Sequence, residues 1–246
     1  MKNKIFKTIS INLCILSVSF AFLYGQSAED IIKKMEEKMF PSSRAEMTLR
    51  FVTKTTQEDY VFTSFARDTN QKIIVRFKSP AAMLGSDLLM LDRNVWLYDP
   101  KSGREMKIPS NQSFGGTGFS YGDILRLNYS DNYTASIKED LGDSWIVDLV
   151  AKQKDAPYHA ISLEIAKDFT PVLGRYFTRS GDLIKEMEYS NPKLINGVLK
   201  PLTVRVTSPL DPSEVSTLTL VKEEKKEYPL SIFNKRNLSL KMEENY

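Results

Sequence analysis

The chain has 246 residues, 41% of them hydrophobic, with 34 basic and 31 acidic side chains, one histidine and one cysteine. That length can bury a sizeable core, and sandwiches or barrels of this size often form one domain. One imidazole and one thiol are too few for a nitrogen or sulfur metal site or a disulfide framework, so no metal and no cofactor is expected.

Lys2, Lys4 and Lys7 precede an apolar run from Ile9 to Tyr24 that Gly25 closes, the pattern of an export signal cleaved near Gly25. A membrane anchor is the rival, but the run is short for a span and carries Ser10, Asn12, Ser17 and Ser19. Cys14 makes a poor lipid-modified start, because Leu13 precedes it and most of the apolar run follows it. Removing residues 1–25 takes three lysines, no acids and the cysteine, leaving 31 basic against 31 acidic residues over 221 positions. A balanced charge does not support binding to polyanions, and Arg67, Arg76 and Phe77 read as a solvated sheet face, with no nucleic-acid partner expected. The expected organisation is a signal, 1–25, followed by one domain, 26–246.

Ser27 followed by Asp30 resembles a capping box, and Ile31, Ile32, Met35 and Met39 then share one helical face until Pro41 ends it. From Ala45 the period becomes two: Ala45, Met47, Leu49 and Phe51 alternate with Glu46, Thr48, Arg50 and Val52. Similar runs recur at 60–67, 72–78, 87–91, 95–98, 133–138, 144–150, 160–166, 172–178, 183–189, 199–207 and 215–222. Asp99 to Gly103 and Ser180 to Asp182 read as hairpin turns. Pro201 lies inside a proposed strand, which predicts an edge position there. The class is mainly β with few helices, an antiparallel meander of about 10–11 strands.

Between Pro109 and Asn128 the pattern breaks. Phe114, Gly115, Gly116, Gly118, Phe119, Tyr121 and Gly122 crowd together, and Asp123 to Leu127 reads as a short helix. Glycine permits close backbone approach, so this segment can fold back over an apolar surface.

Signals for catalysis are weak, and no enzyme is expected. His159 stands at a strand start without a nucleophile motif around it. The cluster from Gly115 to Gly118 lacks the Gly-Lys-Ser/Thr ending of a phosphate loop. Glu46, Asp92, Asp99 and Asp123 could converge as an acid and a base, but nothing in their spacing requires it.

The stretches FKSP (77–80), GSDLL (85–89), WLYDP (96–100) and FGGTGFSYGDI (114–124), with Ile108 between them, resemble the bacterial outer-membrane lipoprotein-sorting proteins, a LolA-like family. The resemblance implies an open antiparallel β half-barrel whose helices cover an apolar hollow that receives acyl chains. It also implies traffic through the periplasm of a diderm bacterium, from an inner-membrane transporter to an outer-membrane acceptor. The central block suits a LolA-like branch, and no individual ligand contact is carried over from the best-studied carrier.

On this reading the alternating strands offer Met47, Leu49, Phe51, Phe62, Val75, Phe77, Met90, Trp96 and Tyr98 as lining, and the Gly-rich segment offers Phe114, Phe119 and Tyr121. Periodicity defines a face and leaves open whether that face is packed or hollow. Met83 and Leu84, in the apolar run from Ala81 to Leu84 between Pro80 and Gly85, are candidates for a lid or a membrane-touching loop, with tucking into the core as the alternative. Two functions fit: a lipid or lipoprotein carrier, or an envelope lipid-sensing or protein-binding module on a similar half-barrel.

Overall fold

Strand formation follows the period-two pattern directly. In β1 (Ser43–Val52) the residues Ser43, Ala45, Met47, Leu49 and Phe51 are buried while those between them keep surface exposed. The computed structural model describes residues 26–126 and 128–238. The expected signal and Cys14 lie outside these residues. Further strands are β2 (Gln57–Arg67), β3 (Lys72–Ser79), β4 (Asp87–Leu91), β5 (Asn94–Asp99), β6 (Arg104–Ile108), β7 (Tyr133–Asp140), β8 (Ser144–Ala151), β9 (Ala160–Ala166), β10 (Pro171–Phe177), β11 (Leu183–Ile195), β12 (Val198–Thr207) and β13 (Val215–Lys225). Among the described residues three α-helices accompany them, α1 (Ala28–Met39), α2 (Tyr121–Ile124) and α3 (Tyr129–Asn132), with two 3-10 turns at Leu230–Ile232 and Lys235–Asn237.

The strands form one antiparallel sheet in the order β6-β5-β4-β3-β2-β1-β13-β12-β11-β10-β9-β8-β7. It is open rather than closed into a barrel, with β6 and β7 as its edges. Two meanders, β1 to β6 and β7 to β13, therefore join only where β1 pairs with β13, from Ser43 opposite Lys225 to Val52 opposite Val215. Thirteen strands exceed the ten or eleven expected. Each alternating run forms its own strand, and Arg104–Ile108 adds an edge strand whose residues are almost all exposed, so it carries no apolar alternation. Asp99 to Gly103 turns β5 into β6, with Gly103 N–H donating to the Asp99 carbonyl at 2.9 Å.

Because β6 and β7 lie at opposite edges, residues 109–132 must carry the chain across the inner face. Helix α1 covers the same face, lying against β7 and α3. The Ser27 side chain caps it by accepting from Asp30 N–H at 3.1 Å, and Ile31, Ile32 and Met35 are buried beneath it. Ser120 and Asp123 form a reciprocal capping box that starts α2 at Tyr121, two residues earlier than the short helix expected at 123–127, and Leu127 lies outside the described residues.

The outer face is covered too. After β13 the chain returns over it, and Tyr228, Ile232, Phe233 and Leu238 pack on Phe65, Ile74 and Leu89. Arg76 helps hold this tail, reaching Asp87 at 3.3 Å and the Asn237 carbonyl at 3.2 Å. Strands β3 and β4 are thus buried on both faces, which explains their continuous apolar runs.

Pro201 is not on an edge strand, since β12 lies between β11 and β13. It faces Pro192 across β11, a pair with no N–H to exchange. On its other side β12 pairs with β13 only from Thr203 to Thr207, whereas β13 continues along β1 as far as Lys225. Residues 198–202 of β12 therefore part from β13, and the missing donor of Pro201 falls where the ladder has already stopped.

Candidate ligand cavity

The inner face divides into a filled half and a hollow half. Over β1 to β5 the Gly-rich segment inserts Phe114, whose ring stacks on Phe77 with centroids 5.3 Å apart and meets Tyr60 and Tyr121 edge-on at 5.1 and 5.4 Å. Phe62 closes against Phe77 at 5.5 Å. Two positive-φ glycines shape this insertion, Gly115 at +57° beneath Tyr60 and Gly116 at +76°. Gly118 is also required: a Cβ there would lie 2.8 Å from Val206 Cγ1, and its N–H donates to Ser216 Oγ at 3.1 Å.

Over β9 to β13 the face is hollow. Met35 and Met39 of α1, Met47 of β1, Met187 of β11, and Leu202, Leu218 and Leu220 surround a cavity that Phe119 and Tyr129 bound from the crossing segment. Its volume is about 100 Å³. Lys200, Pro201, Leu202 and Glu223 place part of this wall at the parting of β12 and β13. The four methionines give an apolar surface that can repack around chains of different shape.

Charged groups interrupt the apolar wall in three places. Lys200 Nζ lies 2.7 Å from Glu223 Oε2 across the parting, with side chains 2% and 1% exposed. An ion pair thus spans the strands where backbone bonds cease. Asp123 Oδ2 accepts from Ser120 N–H at 2.7 Å, Tyr158 Oη at 2.7 Å and Lys185 Nζ at 2.5 Å. Lys185 also donates to the Gly118 carbonyl at 3.2 Å, tying the crossing segment to β11. Burial lowers the pKa of both lysines against the opposing pull of their carboxylates. Burial also pushes the phenols of Tyr129, Tyr158 and Tyr176 well up, so they remain protonated. Arg126 completes the set, its Nη2 3.1 Å from Met47 Sδ and its guanidinium 5.4 Å from the Phe40 ring centroid.

Of the residues named from the sequence as candidate lining, Met47 and Phe119 stand at this cavity. Leu49, Phe62, Val75, Phe77, Met90, Phe114 and Tyr121 are buried in the inner-face core, and Phe51 is buried on the same face of β1. Trp96 and Tyr98 leave the set. They stand on the outer face beside the tail cluster, because in β5 it is Val95 and Leu97 whose parity points inward. Leu84 is 60% exposed, while its neighbour Met83 turns in against the core.

Sequence reasoning misses the wall of β11 to β13 as lining: Lys200 shares the parity of Leu202, Val204 and Val206, whereas Glu223 is out of step with Leu218 and Leu220 and turns inward only after the register shift of β13 opposite Glu46 and Met47. The four carboxylates weighed for catalysis are engaged separately: Glu46 with Arg44 at 2.9 Å, Asp99 with Lys101 N–H at 3.0 Å, Asp123 with Lys185, and Asp92 exposed in the β4–β5 turn. His159 is exposed beside β9. Among the described residues no helix is long and apolar enough to cross a membrane, and no group of three or more His, Cys, Asp or Glu could hold a metal ion.

A family model described as "uncharacterized protein" matches residues 69–240. No curated protein matches the chain. Among solved structures, a LolA superfamily protein from Nitrosomonas europaea is 23% identical with a TM-score of 0.79, covering 87% of this chain and 100% of its own. An outer membrane lipoprotein-sorting protein domain from Vibrio parahaemolyticus is 18% identical with a TM-score of 0.74, covering 86% and 98%. A DUF1329 family protein from Desulfovibrio piger has the same identity and TM-score, covering 86% and 97%. These likenesses establish a shared fold.

Proposed function

Because the chain belongs to the family matched over residues 69–240 and has the LolA-superfamily fold, we propose that it is a carrier that shelters acyl chains of a lipid or lipoprotein. The observation that supports this most is the methionine-lined cavity beneath α1 and the crossing segment, beside the aromatic cluster around Phe114. Full exposure of a chain of roughly sixteen carbons to water costs on the order of 12 kcal/mol, at about 0.8 kcal/mol per CH₂, so a soluble shuttle must supply an apolar lining.

The carrier works by partition and needs no covalent step. Cargo enters at the mouth beside the parted strands, and α1 with the crossing segment moves aside to enlarge the space. The lipoprotein-sorting name of a similar protein supports a role in the cell envelope; on our reading the 1–25 signal is removed on entry to the periplasm, an inner-membrane transporter supplies cargo and an outer-membrane acceptor receives it. Residues 26–246 form the carrying domain. Exposed Leu84 is suited to touch a membrane surface during transfer.

Native mass spectrometry of gently extracted protein tests binding, and movement of a fluorescent acyl lipid to acceptor vesicles tests transfer. Bound lipid with transfer is the expected result. Lipid-dependent protein binding without transfer would instead make the molecule a sensor, and a protein that neither copurifies with nor takes up lipid would refute both.

A further inference from the structure

The cavity wall carries four charged side chains, Asp123, Arg126, Lys200 and Glu223. Asp123 is committed to Lys185 at 2.5 Å, and Lys200 to Glu223 Oε2 at 2.7 Å. Arg126 has no such close partner: Glu223 attracts it from beyond ion-pair distance. Among the described residues no carboxylate lies within ion-pair distance of it, and its hydrogen bond goes to a thioether sulfur, Met47 Sδ, at 3.1 Å. Thioether sulfur is a weak acceptor, whereas a guanidinium offers five N–H donors and stays charged.

Backbone conformation reinforces the point, since Arg126 is held at φ +52°, a region that side-chain-bearing residues seldom occupy. Its Nη2 donates to the wall, its guanidinium lies 5.4 Å from the Phe40 ring centroid, and the residue is partly buried and lines the cavity. A second unmet group faces the same space: Glu223 Oε1 is buried without a hydrogen-bond partner. An anionic oxygen would satisfy the first group and a hydroxyl hydrogen the second. Neither is served by a purely hydrocarbon ligand.

We propose that the cavity selects amphiphiles whose head group carries an anionic oxygen beside a hydroxyl, the anion seated on Arg126 and the hydroxyl donating to Glu223 Oε1. This rests on the carrier reading and adds the chemistry of the cargo's head. The acyl chain lies along Met35, Met39, Met187 and Leu218, and the head sits at the polar end between the crossing segment and the parted strands.

The test uses the full chain and four probes: lysophosphatidic acid with one sixteen-carbon chain, the matching monoacylglycerol without phosphate, hexadecyl phosphate without the glycerol hydroxyl, and inorganic phosphate. Calorimetric titration is expected to show lysophosphatidic acid binding at least tenfold tighter than monoacylglycerol and several-fold tighter than hexadecyl phosphate. In Arg126→Gln the first ratio falls to about one. Arg126→Lys keeps part of it, because a point charge remains after the planar fork is lost.

Equal wild-type affinities for lysophosphatidic acid and monoacylglycerol would overturn the anion site, whether or not the variants fold. A ratio that survives in folded Arg126→Gln would do the same. Equal binding of hexadecyl phosphate would remove the Glu223 contact, and displacement by inorganic phosphate at similar concentration would assign the site to a free anion. Failure of all three amphiphiles to bind would strike the carrier reading itself.

Discussion

Replacing Glu223 by Gln is the sharpest test of how the parted strands are held. Lys200 and Glu223 are 2% and 1% exposed and 2.7 Å apart, and no backbone ladder joins β12 to β13 beside them. The variant leaves a buried ammonium facing a neutral amide. Breaking a buried pair from one side costs about 3–5 kcal/mol, because the remaining charge stays desolvated. At about 2–4 °C per kcal/mol for a chain of this size, the melting temperature should fall by roughly 6–20 °C. The double variant Lys200→Met/Glu223→Leu should be near neutral or stabilised by about 1–4 kcal/mol, since well-packed apolar groups carry no desolvation penalty. Urea unfolding with the slope monitored is the assay. A single-variant cost below about 1 kcal/mol, the level of a surface pair, would refute a dry ion pair at this position. So would a double variant as unstable as the single one.

Glu36 gives a pH signature. Burial raises its carboxyl from 4.5 to about 7, while its oxygen accepts from the N–H groups of Tyr129 and Ser130. The folded state then holds more protons than the unfolded one between those values, so this contribution is whole below pH 4.5 and is lost as pH rises through about 7. Its size is about 3 kcal/mol at 1.36 kcal/mol per pH unit, and Glu36→Gln, which keeps the acceptor, should flatten that slope in urea titrations run from pH 4 to 8; an unchanged slope would exclude Glu36 as its source. Gly118→Ala should cost about 1–3 kcal/mol by forcing a methyl against Val206, and should speed acyl release by loosening the crossing segment; an unaltered melt would show that the segment shifts freely. Leu84→Asp should leave the melt within about 0.5 kcal/mol of wild type while slowing vesicle transfer, whereas Met83→Asp should destabilise the fold, and transfer at the wild-type rate in Leu84→Asp would remove that loop from membrane contact.

Much of the fold was legible because its determinants are local. The Ser27 cap, the helical face of α1 and the alternation of β1 each need only neighbouring residues to act. The crossing segment was legible for the same reason, its glycines marking close approach. The run from Ile73 to Phe77 also held unused information: burial on both faces requires a second cover, which the tail from Tyr228 to Leu238 provides.

The sequence by itself determined the antiparallel class, the opening helix and the Gly-rich segment that folds back over an apolar surface, while the openness of the sheet was implied by the family resemblance. Tertiary structure alone decided where the face is filled and where it is hollow. Phe114 occupies the half over β1 to β5, whereas β12 and β13 part beyond Thr203 and leave the other half unfilled. The physical reason is that alternation reports only which side of a strand avoids water, while a cavity depends on residues far apart in the chain failing to meet.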